Sequence, residues 1–334
     1  MKWIASPRFD LGLIFGPAVL AVLLVLMVPA FQQPGLPLLG WLLFVVFIDV
    51  AHVYASLYRT YLDPEEFDRR RALYIFVPLA CWLCGVILYS MGELLFWRVL
   101  AYVAVWHFVR QQFGFVMLYR HRCGEGRGGD AWIDKVAIYA TMLYPLIYWH
   151  ATPGREFNWF MEGDFLLLPA WTKTAGNILY TGALALFLAR QVQVFALYKR
   201  INWGKIGIVS STAAVWYVGI IYLNSDFAFT ITNVVAHGIP YMALVWLYGR
   251  RKWEKSPGWR NWIHRPFAAF FFVGALLGLA YVEEGLWDLF VWQEHAVAFG
   301  GLALSSPLSE SLLPIIVPFL MLPQVTHYLL DAWI

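Results

Sequence analysis

Val45-Val46-Phe47-Ile48-Asp49-Val50-Ala51-His52-Val53-Tyr54-Ala55-Ser56-Leu57-Tyr58-Arg59 decides the fold, because Asp49 and His52 sit in a run otherwise apolar enough to cross a bilayer. Spaced three apart, the two side chains share one helix face. A carboxylate or imidazole facing lipid costs several kcal/mol, so that face points into the protein. Three later stretches repeat the pattern of an ionisable residue in an apolar run: Trp106-His107-Phe108-Val109-Arg110-Gln111, Asn233-Val234-Val235-Ala236-His237 and Gln324-Val325-Thr326-His327-Tyr328-Leu329-Leu330-Asp331. Their spacing predicts one polar, metal-binding site built by four helices inside a membrane.

The composition agrees. Of 334 residues, 61% are hydrophobic, 18% aromatic and only 13% charged, against about 25% charged in a soluble domain. This predicts an all-α, polytopic transmembrane helix bundle, with residues 1–334 forming a single integral membrane domain in a bacterial inner (cytoplasmic) membrane. The net charge of +3 is sorted by side of the membrane and not pooled in a patch, which excludes nucleic acid as a partner. Cys81, Cys84 and Cys123 give no disulfide framework, and the Cys81–Cys84 pair reads as small hydrophobes in a helix. The apolar run after Asp10 is too long for a signal-peptide core and reads as a retained first helix.

Stretches of about 20 apolar residues number ten: 11–31, 36–58, 72–91, 94–119, 131–150, 174–198, 206–224, 227–249, 266–283 and 311–331. Basic residues fall almost entirely in alternate connections, Lys2 and Arg8, Arg59 and Arg69 to Arg71, Arg120, Arg122 and Arg127, Lys199, Arg200 and Lys205, then Arg250 to Arg265, while the other side carries only Arg98, Arg155 and Lys173. By the positive-inside rule both termini are cytoplasmic. The loop Thr152–Lys173, with Trp159, Phe160, Phe165 and Trp171, then lies outside. So does the amphipathic stretch Glu283–Glu310, read as a helix lying in the interface. His150 and His295 with Glu283, Glu284 and Glu294 fall there too, where solvated interface is the ordinary reading. His121 and His264 fall in basic cytoplasmic loops.

All four motif helices run outside to inside, so depth follows from the residue that ends each. His52 is 7 residues before Arg59 and His327 is 7 before Ile334, whereas His107 and His237 are each 13 before Arg120 and Arg250. The two pairs therefore differ in depth by about 9 Å. Either helix offsets remove that difference and one four-His centre forms, or the site has two levels.

His52, His107, His237 and His327 are the candidate metal ligands, with Asp49 and Asp331 as further ligands or as groups that orient the imidazoles. Asp49, Arg110 and Asp331 are the candidate catalytic groups, Arg110 as a counter-ion to one of the carboxylates or as a head-group anchor. The expected cofactor is a metal ion, iron, one or two per chain. The activity it implies is that of a membrane-embedded oxidoreductase or oxygenase, acting on a lipid or isoprenoid with an electron donor. Three alternatives use the same residues: an intramembrane zinc hydrolase, a bis-His haem b electron carrier and a proton-coupled transporter.

His237-Gly238-Ile239-Pro240-Tyr241 and the His-bearing helix Trp106–Gly114 resemble the Brp/Blh-type polytopic membrane carotene dioxygenases, whose signature is Pro-His-Gly. Here the proline follows the histidine, and no acidic residue comes shortly after the glycine. The resemblance implies iron held by histidines from several helices and an isoprenoid substrate. The Ser6-Pro7-Arg8-Phe9-Asp10 start and the His327-Tyr328-Leu329-Leu330-Asp331 end are similar to those of a His-rich bacterial membrane protein family.

Overall fold

The computed structural model describes residues 2–126, 128, 130–254, 265, 267–301 and 308–331, and their regular structure is helical throughout. Apart from short turns the helices are α1 (Pro7–Met27), α2 (Leu38–Arg59), α3 (Pro64–Arg69), α4 (Arg71–Met91), α5 (Glu93–Cys123), α6 (Ala131–His150), α7 (Trp171–Tyr198), α8 (Trp203–Tyr222), α9 (Asp226–Lys252), α10 (Ala268–Trp292), α11 (Leu313–Leu320) and α12 (Leu322–Leu330). All ten expected stretches are thus helical. Seven helices, α1, α2, α4, α7, α8, α9 and α10, are long and apolar enough to cross a membrane, and the pair α11–α12, bent by 49°, makes up to eight. The other two, α5 and α6, fall outside that set. They carry Glu93, Arg98, Arg110, Arg120 and Arg122, and Asp134 and Lys135, respectively. Arg127, Lys255, Arg260 and His264, placed in cytoplasmic loops above, lie outside the described residues.

The chain gathers into two compact units, Met1–Leu36 with Val105–Pro240, and Pro37–Ala104 with Tyr241–Ile334. Of the three boundaries along the chain, 36/37 lies between α1 and α2, and 104/105 and 240/241 fall inside unbroken helices, α5 and α9.

In the first unit α1 starts at Ser6, whose hydroxyl accepts the Phe9 amide while Pro7 takes the first helical position, a position with no amide to lose. Asp10 is fully buried and accepts the Ile4 and Ala5 amides and the Tyr119 hydroxyl at 2.7, 3.1 and 2.6 Å. The core joins Phe108, Met142, Leu146, Trp149, Trp216 and Phe229. Two glycines on α8 let it press on its neighbours. A Cβ on Gly204 would lie 2.0 Å from the Tyr119 ring, and one on Gly219 would lie 1.9 Å from Thr232 Oγ1. Part of the loop between α6 and α7 is folded into this core: Phe157 belongs to it, and Trp159 and Phe165 pack against it.

A second polar feature of this unit was not expected. Arg120 is 1% exposed and pairs with Asp134. Lys205 joins Asp134 at 3.1 Å and Glu125 at 2.8 Å, and Asp130 holds Arg190 at 3.0 Å. Three cations meet three carboxylates. Arg120 and Lys205, read from the sequence as residues at the membrane surface, are therefore buried members of an ion cluster.

In the second unit α2 packs on α10 through Val46, Val50, Ala51 and Ala55 against Phe272, Leu276 and Ala280. Small residues at such a seam let backbones approach closely. Residues Trp41–Val50 of α2 are π-helical, and the α-helical turn Ala51–Ala55 follows, an irregularity frequent at functional sites. The stretch after Glu283 departs from expectation. It is no separate interfacial helix, because α10 continues through Leu286, Trp287 and Leu289 to Trp292 and stops at Gln293, whose φ is 55°. A short turn, Ala296–Phe299, follows, and residues 302–307 of that stretch lie outside the described residues.

Candidate metal centre

His107 and His237 come from α5 and α9. Their Nε2 atoms are 3.1 Å apart and the rings are nearly perpendicular, at 88°. Phe108 lies flat on His237, centroids 3.8 Å apart and planes within 14°, which fixes the imidazole plane. One turn beyond His107, Gln111 Nε2 donates to the main-chain carbonyl of His237 at 3.0 Å and ties the two helices at the level of the rings. Pro240, inside α9, lacks the amide that would bond the Ala236 carbonyl. Asn233 anchors its own amide on the Phe229 carbonyl at 2.9 Å.

His52 and His327 come from α2 and α12. Their rings meet edge to face at 5.0 Å, and Tyr241 sets its ring against both, 5.8 Å from His52 and 5.1 Å from His327. Asp49 Oδ1 lies 3.6 Å from His52 Nδ1, and Ser56 Oγ donates to the Val53 carbonyl at 2.6 Å.

The four histidines form one group. A ring nitrogen from each lies within 4.8 Å of those of the other three, and all four residues are buried. Such a group can bind a metal ion. Bonds of about 2.0 to 2.1 Å to one ion put adjacent imidazole nitrogens roughly 2.9 to 3.4 Å apart and opposite ones about 4.1 Å apart. The His107–His237 separation falls in the first range. Two imidazole nitrogens at 3.1 Å need a positive centre between their lone pairs, either a ring proton or a metal ion.

The depth count gave the pairs correctly but separated them too far. It presumed that each terminal residue marks the membrane surface. Arg120 is instead buried in the ion cluster, and His327 follows a 49° bend that shifts α12 from the line of α11.

The carboxylates stand outside the group. Asp49 is beside His52, and Asp331 caps α12, its amide on the His327 carbonyl at 2.9 Å and its charge near the Tyr241 hydroxyl. Arg110 places its guanidinium 6.0 Å from the centroid of Phe113. Three polar residues escaped sequence reasoning or were misplaced by it. Gln111 and Tyr241 had no periodic signal of their own. Glu283, expected outside, is 4% exposed within α10 and accepts from Gln324 Nε2 at 3.5 Å, while Gln324 Oε1 accepts the Tyr328 hydroxyl at 3.1 Å. Glu283 and Glu284 open the amphipathic pattern of residues 286–294, which drew them to the interface.

The other histidines have separate surroundings. His150 Nδ1 sits 2.6 Å from the Leu146 carbonyl with its ring on Phe165, His295 stacks on Trp41 at 4.0 Å, and His121 is exposed. Among the described residues, His52, His107, His237 and His327 are the one set of three or more His, Cys, Asp or Glu disposed to hold a metal. No protein family, curated protein or solved structure matches the chain.

Proposed function

We propose that the four histidines hold a single redox-active metal ion, iron, and that the protein is a membrane-embedded oxidoreductase or oxygenase acting on a lipid or isoprenoid. The observation that carries this reading is the convergence of four buried imidazoles with no carboxylate in the group. Neutral imidazoles suit a borderline divalent ion. His52, His107, His237 and His327 would hold the ion, which when bound would supply one-electron chemistry with dioxygen.

The chain's own contribution is positional. Phe108 and Gln111 hold His237 in plane and in register, Tyr241 braces His52 and His327, and Asp49 stands where a carboxylate orients a ligating imidazole. Burial keeps water from the group. The sequence resemblance to Brp/Blh-type dioxygenases supports the same reading, and the proposal includes placement in a bacterial cytoplasmic membrane with both termini inside.

Distances disfavour two of the alternatives. A porphyrin iron between His107 and His237 needs their nitrogens about 4.1 Å apart, whereas they stand at 3.1 Å. A zinc ion closed by four imidazoles is the structural kind of site, with no fourth position for water.

Elemental analysis of the detergent-purified full chain tests the proposal. About one iron per chain without a Soret band is expected, together with substrate-dependent oxygen uptake by the iron-loaded protein. Zinc in place of iron, a Soret band, or metal-free protein that conducts protons across a vesicle membrane would each end it.

A further inference from the structure

The second unit contains a cavity of about 280 Å³ walled by α4, α5 and the bent pair α11–α12. Its lining is apolar apart from the thiols of Cys81 and Cys84. Cys84 and Val99 line it and are exposed, so its mouth opens on the outer face of the helices, where Leu83 and Ile87 are also exposed. In a membrane protein that face meets lipid.

The cavity is distinct from the histidine group. None of the four histidines lines it. Val325 and Leu329 do, one turn apart on α12, and His327 is two residues from each, about 200° around the helix. The cavity therefore backs the helix that carries His327. Pro318 and Met321, at the bend between α11 and α12, complete that wall.

We propose that this cavity binds one acyl chain of a membrane phospholipid, seated behind α12 and bracing the bend that positions His327. An empty cavity of this kind forfeits the dispersion contacts of its lining. Its size, near the lower end of the roughly 300 to 1,000 Å³ of small-molecule pockets, admits a chain segment and not a whole lipid. Acyl chains are the apolar species at highest concentration along an open lateral mouth, so mass action favours them.

Photolabelling tests this with palmitic acid bearing a diazirine near mid-chain, applied to the full protein in detergent and mapped by peptide mass spectrometry. Labelling of residues 77–88 and 321–329 should exceed that of α7 at least fivefold. Helix α7 offers the comparison because Ile178, Leu179 and Val192 are equally apolar and exposed without lining this cavity. Unlabelled palmitic acid should suppress the signal, and Ala80→Phe, which fills the cavity from α4, should lower it tenfold or more while labelling of α7 stays the same. If Ala80→Phe does not fold, Val99→Phe fills the cavity from α5, and competition in the unmodified protein decides. Equal labelling of α4 and α7, no loss in the filled variant, or displacement by farnesol but not by palmitic acid would overturn the proposal. Each of these readouts is independent of metal content, so the acyl site and the metal centre can fail separately.

Discussion

Arg120 and His107 lie thirteen residues apart on α5 and are both buried, 1% and 0% exposed, but their surroundings differ in kind. Arg120 meets Asp134, Glu125 and Asp130, and the remaining charge of those carboxylates is taken by Lys205 and Arg190. That cluster balances its charge with residues of this chain. His107 meets three other imidazoles, bases without an acid in the group. A buried polar set that neutralises itself serves the fold. One composed of imidazoles alone can take up a cation brought from outside.

The comparison is broken or sharpened by removing one member from each set. Asp134→Leu leaves three cations to two carboxylates, Glu125 and Asp130, and losing one partner of a buried ion pair costs about 3 to 5 kcal/mol. The expected outcome is a large drop in melting temperature with unchanged metal per folded chain. If melting is unaffected, the cluster is not what closes the first unit.

His237→Ala should do the reverse. It deletes one of four ligands and leaves no buried charge, so the fold survives while metal affinity falls at least a hundredfold, roughly 2.8 kcal/mol. Chelation should lower the melting temperature of the unmodified protein and leave that of the variant where it was. Equal metal content in the two proteins would remove His237 from the ligand set.

The two sites were not equally legible in the sequence. An imidazole in an apolar stretch stands out because lipid penalises it, and four of them marked the candidate metal site residue by residue. The ten helices followed from apolar length alone. The ion cluster was hidden because Arg120 and Lys205 fall at the ends of apolar stretches, and nothing in one sequence tells a buried cation from a solvated one. Glu283 was hidden by the opposite effect, as its neighbours 286–294 alternate charged and aromatic residues like an interfacial helix. Gln111 was invisible in its role, since a side chain that serves another helix's main-chain carbonyl leaves no periodicity.

Gln111→Leu measures that hidden role. The substitution removes the amide donated to the His237 carbonyl. A neutral hydrogen bond contributes about 1 kcal/mol to stability, and groups that orient ligands typically govern metal affinity by 10- to 100-fold. Affinity should fall about tenfold, less than for His237→Ala, with little change in melting. A variant that binds metal as tightly as the parent would show that Phe108 alone orients the imidazole.

Asp63 supplies the smallest effect and extends the comparison beyond the membrane spans. It caps α3, accepting the Glu66 amide at 3.3 Å, and takes the Tyr248 hydroxyl at 2.9 Å and Lys252 Nζ at 2.6 Å. Burial works to raise its pKa, but the bonds from Lys252, Tyr248 and the Glu66 amide outweigh burial and hold the carboxyl below its ordinary 3.8. A carboxyl depressed in the folded state contributes stability that is complete above the unfolded value, and that stability is lost as pH falls through the folded one. Acid melting curves of the unmodified protein should therefore stay level down to about pH 4 and decline below it. Asp63→Asn should start from a lower melting temperature and lose that part of the decline. Metal retention at the histidine group should change in the same direction, because acid protonates the imidazoles that would hold the ion, and it is read by metal content and not by melting. Metal release and loss of melting temperature at one common pH would mean that the two sites are not independent.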